Sequence, residues 1–325
     1  MPYNSLISRT DAAALIPKEV SREILKTTPQ QSAVLSLSRR LPDMSRAQKR
    51  LPVMSALATA YFVTGDTGLK QTSEMNWENK YIDAEELAVI VPIPESVLDD
   101  QDYDIWGEIR PSIEEAFGLA IDQAVLFGTN IPTTWSTNLG GAGLTAVANT
   151  ASHRLSLAGY TDLYEALLGE TAGGTDGVLM SIEADGYMAT GHVADLSMRG
   201  KLRNCRDSDG NPIFKRSMQD STRYELDGEP IAFPRNGAFG AAGNSELLFA
   251  GDWSKLVYAF RQDITYKVLT EAVIQDAAGN IVYNLAQQDM IALRAVIRLG
   301  FALPNPINRV NATAATRCAF AVLTS

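Results

Sequence analysis

Apolar and polar residues alternate with a period of two from Ser55 to Thr64, where Leu57, Thr59, Tyr61 and Val63 interleave with Ala58, Ala60 and Phe62 ahead of Gly65-Asp66-Thr67-Gly68. Such alternation predicts a strand. A second extended run, Leu87, Val89, Val91 and Ile93, ends among Pro92 and Pro94. Between the two runs the chain is polar, with Lys70, Gln71, Thr72, Ser73, Glu74 and Asn76. The pattern predicts a long two-stranded excursion with a mobile tip. A lone two-stranded ribbon is only marginally stable in water, so this one needs a neighbour to lie against.

The period then changes to that of a helix. Ile109, Ile113, Phe117, Ala120, Ile121, Ala124 and Val125 form one apolar stripe, and Gly128 supplies a stop. Pro111 either kinks this helix or begins its main segment. From Asp104 to Phe127 it would extend roughly 36 Å at about 1.5 Å per residue, long for a compact domain. Farther along, Thr161 to Leu168 reads as a helix with Asp162 near its start, Gly177 to Ile182 as a short apolar strand and Ala184 to Gly200 as a helix. Asp209-Gly210, between Arg203 and Phe214, signals a hairpin turn. Ile231 to Phe233, Glu246 to Ala250, Leu256 to Leu269 and Met290 to Leu303 read as strands, with a turn at Asp252 to Lys255. The fold class is α+β, with strands pairing across distant sequence and no βαβ repeat.

The first fifty residues hold no sustained apolar period. Ile16, Val20, Ile24 and Leu25 fit one face of a short helix between Pro17 and Thr28, and Pro29, Pro42 and Pro52 break up the residues after it. This is an arm that cannot bury a core of its own, and removing residues 1–48 is expected to leave a folded remainder. Residues 1–52 carry nine Lys or Arg against four Asp or Glu, whereas residues 66–115 carry three against fourteen. The two segments should attract each other, either as faces of one chain or between neighbouring copies.

At 325 residues with 46% hydrophobic and 20% charged, the chain can bury a large core. Its formal charge of -10 disfavours sequence-independent DNA binding, which needs clustered cations. Cys205 and Cys318 are far apart and lack metal-type spacing, so they read as buried free thiols. No stretch has the length of a membrane span, the N-terminus has no signal-peptide pattern, and a retained Met1 suggests that no propeptide has been removed.

Catalytic patterns are sparse. His153 and His192 are the only histidines, which excludes a His-Glu-x-x-His zinc site, and each reads as a surface or helix residue. No Gly-x-Ser-x-Gly elbow occurs. Gly140-Gly141-Ala142-Gly143 lacks the Lys and Ser/Thr of a phosphate loop and reads as a flexible connection. Asp207-Ser208-Asp209-Gly210-Asn211 has its Gly in the fourth place where a calcium loop needs it sixth, and so reads as a turn. Asp99, Asp100, Asp102 and Asp104 precede the long helix, where they favour the positive end of its dipole. No catalytic, cofactor-binding or metal-binding residue is assigned.

Several segments in order resemble the tailed-bacteriophage major capsid protein family, with its Hong Kong 97-type fold. Gly68-Leu69-Lys70 to Asn76-Trp77 and Leu87 to Asp100 resemble the family's extended loop and its return, and Ala120 to Gly128 its spine-helix ending. Asp207 to Phe214 looks like its Asp-Gly hairpin, Leu226-Asp227-Gly228-Glu229-Pro230-Ile231 its Gly-x-Pro strand entry, Phe249 to Ser254 its Gly-Asp-aromatic turn, and Ala292 to Pro306 its last sheet strands. The resemblance covers roughly residues 50 to 310.

It implies an N-terminal arm (1–52), an extended loop (53–98), a peripheral domain with the spine helix (99–150), an axial domain (151–255), and a return to the peripheral sheet with a C-terminal strand (256–325). It implies a non-enzymatic subunit that forms pentamers and hexamers in an icosahedral head around double-stranded DNA, without cofactor and without specific DNA binding. Scaffolding, portal and decoration proteins are possible further partners, no membrane is involved, and the virion capsid would be assembled in the host bacterial cytoplasm. The runner-up is an encapsulin-like nanocompartment shell enclosing protein cargo, and an uncatalogued enzyme is a third reading. Some members of the family join a loop lysine to an asparagine with a glutamate as base. Here Lys70 could supply the amine, but Asp289 and Val296 stand where the asparagine and glutamate would be, so non-crosslinked shells are expected.

Overall fold

The computed structural model describes residues 32–63, 68–99, 105–169, 176–206, 213, 224–240 and 244–325. The expected helix between Pro17 and Thr28, the Asp209-Gly210 turn and the acidic residues 100–104 lie outside them. The described chain begins with helix α1 (Ala33–Leu37), strand β1 (Arg39–Arg40), β2 (Gln48–Ala56), β3 (Asn76–Asp83), β4 (Glu85–Pro94) and the short helix α2 (Glu95–Asp99). The long helix α3 (Ile105–Asp122) runs on into a π-helical turn, Gln123–Phe127, and is followed by α4 (Thr133–Leu139), α5 (Gly143–Thr150), β5 (Arg154–Ser156) and α6 (Leu163–Leu168). Next come α7 (Val178–Ala184), β6 (Gly191–Ala194), α8 (Met198–Asn204), β7 (Glu225–Leu226), β8 (Glu229–Ala232) and β9 (Glu246–Gly251). The last strands are β10 (Val257–Leu269), β11 (Val273–Gln275), β12 (Ile281–Asn284), β13 (Met290–Ala302) and β14 (Phe320–Thr324).

Two sheets carry the body. One has the order β1-β10-β13-β4 and the other β5-β14-β9-β6-β8-β7, while β2–β3 and β11–β12 stand as separate two-stranded ribbons. Leu293, Ala295, Ile297, Leu299 and Phe301 alternate along β13 onto the face covered by Ile113, Phe117 and Ile121 of α3. The same core continues to Phe249, Trp253 and Phe320 in the second sheet. Each such side chain contributes roughly 1.5–3 kcal/mol on burial, so this shared core joins the sheets. On the opposite face of β13, Ala302 meets Met44, Ile82, Val257 and Ala259 in a smaller cluster.

Several expectations change. Residues 57–63 are not a strand; the first ribbon strand is β2, which runs through Pro52. An edge position tolerates a residue without an N–H, so Pro52 does not interrupt it. Its partner is the polar β3 and not the apolar run at residues 87–93, which as β4 pairs with β13 from Pro94↔Met290 to Glu85↔Leu299. The apolar alternation of β4 serves the sheet face under α3, whereas β3 is solvated and carries no apolar signature. Gly177 to Ile182 belongs to helix α7, because a short apolar run does not distinguish strand from helix. Ala184 to Gly200 is not one helix, since Gly186 turns the chain at φ 75° and leads into buried strand β6 before α8. Asp162 caps α6 by accepting from Glu165 N, as its position suggested.

Helix α3 continues through Pro111. The π turn ends at Gly128, φ 74°, where an added Cβ would lie 2.3 Å from Ala142 O. The glycine stretch at residues 140–143 is therefore a tight crossing between α4 and α5, held against Gly128, and not a loose connection. Both histidines are buried, His153 at 8% and His192 at 0% exposure. Strand ends and strand interiors enclose them, which spacing along the chain does not reveal.

Candidate functional site

The nearest approach to a catalytic triad is Cys318, His153 and Asp185. His153 Nε2 lies 3.5 Å from Asp185 Oδ2, and the same oxygen accepts from the Cys318 backbone N–H at 2.7 Å. Burial pushes the Cys318 thiol up to about 12, and its sulfur accepts a bond from Phe320 N at 3.4 Å. A thiol held protonated is not a nucleophile. These groups tie β14 to the turn after α7. Among the described residues no cluster of three or more His, Cys, Asp or Glu could hold a metal, and no helix is long and apolar enough to cross a membrane.

What the structure does present is the β2–β3 ribbon. The two strands pair from Gln48↔Asp83 to Ala56↔Asn76 and add to neither sheet. The root is firmly held: Ile82 is fully buried, Asp83 O accepts from Trp135 Nε1 at 3.1 Å, and the Asp83 carboxylate accepts from Gln48 and Asn138 at 2.8 and 2.9 Å. Outward from the root, the ribbon exposes Trp77 (65%), Leu69 (90%) and Phe62 (104%). Large exposed apolar side chains beside unpaired strand edges mark a surface that another chain covers. A second such element is the β11–β12 hairpin, which exposes Val273, Ile281 and Val282.

At the end of α3 lies Asp122, fully buried. Its carboxylate accepts from Ser32 Oγ at 2.5 Å, from Ala33 N and Val34 N at 3.2 Å, and from Asn236 Nδ2 at 2.8 Å. Burial pushes this carboxyl above its ordinary value, and the hydrogen bonds oppose the shift. No local signal marked Asp122 or Asp185 as such hubs, because their partners lie about 90 to 130 positions away.

Among the basic residues near the arm root, Arg40 pairs with Asp43 and Lys49 donates to Pro42 O, and neither side chain pairs with a described residue of the acidic stretch 66–115. On the sheet, Arg298 Nε donates to Glu86 at 2.8 Å. Lys70 is exposed in the loop beyond the ribbon strands. Asp289 is exposed at the start of β13 with φ 47°, and Val296 is buried at mid-strand, 8% exposed. The structure does not bring these three together within one chain among its described contacts.

A family model described as "Phage capsid family" matches residues 12–308. The chain is 27% identical over 290 residues to the major capsid protein of Staphylococcus phage 80alpha, covering 86% of this chain and 79% of that protein. A solved structure from Microbacterium phage Oxtober96 superposes with a TM-score of 0.83 at 33% identity, covering 98% of this chain and 99% of its own. One from Mycobacterium phage Adephagia gives 0.80 at 30% identity, with 98% of each chain covered. The family model spans the arm root, ribbon, long helix, the first sheet and all of the second sheet but β14, and the whole-chain superpositions agree with it: the chain belongs to the phage capsid family, as a major capsid protein that forms part of the virion.

Proposed function

We propose that this chain assembles as pentamers and hexamers into an icosahedral head enclosing double-stranded DNA, and that it catalyses nothing. The observation that carries the reading is the ribbon, a projecting element with exposed Trp77, Leu69 and Phe62 that no part of its own chain covers among the described residues. In a ring of copies each ribbon has a neighbour to lie on, and heterologous contacts of that kind close into rings. The net charge of -10 suits a wall that encloses DNA without binding it. Assembly in the host bacterial cytoplasm, and the use of separate scaffolding, portal and decoration proteins, complete the reading. So does the division into arm, extended loop, peripheral domain, axial domain and returning strands.

Electron micrographs of the expressed chain should show closed shells, and native particles should absorb as nucleic acid. Shells holding only protein cargo would favour the encapsulin-like alternative, and a chain that stays monomeric at high concentration, both alone and with the other head proteins present, would overturn the proposal.

Shell contacts are read as non-covalent. Asp289 and Val296 stand where the reacting asparagine and the base would be, and Val296 cannot accept a proton. Particles boiled in detergent should run as one band near 35.2 kDa. A ladder of multimers that vanishes in Lys70→Ala would refute this.

A further inference from the structure

Beyond its root, the ribbon faces the body across a cavity of about 290 Å³, bounded by Val53, Glu78 and Lys80 on the ribbon side and by Thr137, Val147 and Arg317 on the other. One segment crosses this gap. Ile307 N donates to Met54 O at 3.3 Å and Arg309 Nη2 to Ala58 O at 2.8 Å, so alternate residues of the segment hold the ribbon at two points. The residue between them faces the other way: Asn308 Nδ2 donates to Asp185 O at 2.6 Å. Three successive residues thus bridge the ribbon and the turn after α7.

The far end of the segment is locked by buried polar bonds. The two Asp185 carboxylate oxygens accept from Asn311 Nδ2 and from Cys318 N, each at 2.7 Å. Arg317, 4% exposed, closes the loop on itself, donating to the Asn305 side chain and backbone oxygens at 3.0 Å and to Asn311 O at 2.9 Å. Tyr187 also donates to Asn305 Oδ1 at 3.2 Å. Val310 packs so close to Gly186 that a Cβ there would lie 2.7 Å from Val310 Cγ2.

We propose that residues 304–318 form a strut that fixes the angle of the ribbon to the body, with Asp185 as its anchor and Arg309 as the positioning residue. A ribbon held only near its root, through Lys49, Leu51, Ile82 and Asp83, could still swing about that root. The second attachment at Met54 and Ala58 removes that freedom, and the anchor ties the ribbon's direction to the second sheet through β14. The consequence for assembly, that the strut decides where each ribbon meets its neighbour, rests on the function proposed above.

The test is a pair of spin labels at Thr72→Cys and Glu183→Cys in a Cys205→Ser background, read by pulsed electron paramagnetic resonance on the full chain. Dilution with unlabelled chain leaves only intrachain distances. Arg309→Ala should raise the population outside the wild-type distance peak about fivefold, the weight of one ordinary hydrogen bond, with the melting temperature unchanged. Arg309→Lys, which keeps a cationic donor, should restore the narrow peak. Gly186→Ala, by displacing Val310, should shift the mean distance and gives a second readout should Arg309→Ala fold poorly. An Arg309→Ala distribution that superposes on wild type would overturn the strut, as would a Gly186→Ala distance that does not move. Micrographs of the same samples score shells separately. A broadened Arg309→Ala distance beside a wild-type chain that itself forms no shells upholds the strut and refutes the assembly reading, and shells lost with unchanged distances refute the strut.

Discussion

His192 sits in β6 with no exposed surface. Its Nε2 faces the Leu226 carbonyl oxygen at 3.2 Å, so that nitrogen carries the proton, while Nδ1 has no partner among the described residues. A second proton would have to occupy Nδ1, buried and without an acceptor. Burial accordingly lowers the imidazole pKa to about 4 from an ordinary 6.5, against the opposing pull of the Leu226 carbonyl and the Asp227 charge. Because this folded-state value lies below the unfolded one, the unfolded chain takes up the proton first as pH falls. The stability contribution is therefore complete above pH 6.5 and is lost progressively between 6.5 and 4. That interval corresponds to roughly 3 kcal/mol, a substantial part of the 5–15 kcal/mol typical of a folded domain. Urea unfolding of the unassembled subunit at successive pH values, compared with His192→Gln, isolates the effect. The amide can still donate to Leu226 O but does not titrate, and every carboxylate common to both proteins cancels in the difference. Wild type should lose about 3 kcal/mol more than the variant across the interval. Two parallel curves would show that the imidazole finds an acceptor on protonation and that the assigned pKa is wrong.

Asp122→Ala leaves the Ser32 hydroxyl, two amides of the first turn of α1 and the Asn236 side chain without their acceptor, and should cost about 3 kcal/mol in thermal unfolding. Its titration runs opposite to that of His192: burial raises the carboxyl, so the strain of holding it ionised eases as pH falls, and Asp122→Asn should remove that dependence. Deleting residues 1–31 should leave a soluble, cooperatively melting chain that forms no closed shells. Deleting residues 1–48 removes fully buried Val34 and nearly buried Met44 as well and should yield aggregate, which sedimentation distinguishes. Reversing the charge of Arg39, Arg40, Lys49 and Arg50 should slow assembly most at low salt, because exposed charges are screened over about 8 to 10 Å near physiological ionic strength. A salt-independent defect, followed by light scattering, would place those residues in packing contacts instead.

The sequence alone determined the features that repeat locally. The stripe from Ile109 to Val125 made α3, runs of strand-favouring and apolar residues made β10 and β13, and the Asp162 cap started α6, because such patterns and capping depend only on residues close together in the chain. The need for a neighbour was also legible, since a chain that spends a long excursion on two strands cannot cover it alone. Only the tertiary structure decided which strands pair. The apolar residues 87–93 looked like the ribbon's return strand, yet went to the sheet, where α3 offers a face to bury them. The polar β3 took their place, because a ribbon in solvent needs no apolar face except Ile82 at its root. The same holds for the buried polar anchors. Asp122, Asp185, His153 and His192 are ordinary residues in the sequence, and each gains its role from partners brought together from far along the chain. A hydrogen bond in a low-dielectric interior is set by where the fold places donor and acceptor, and no local pattern encodes that distance.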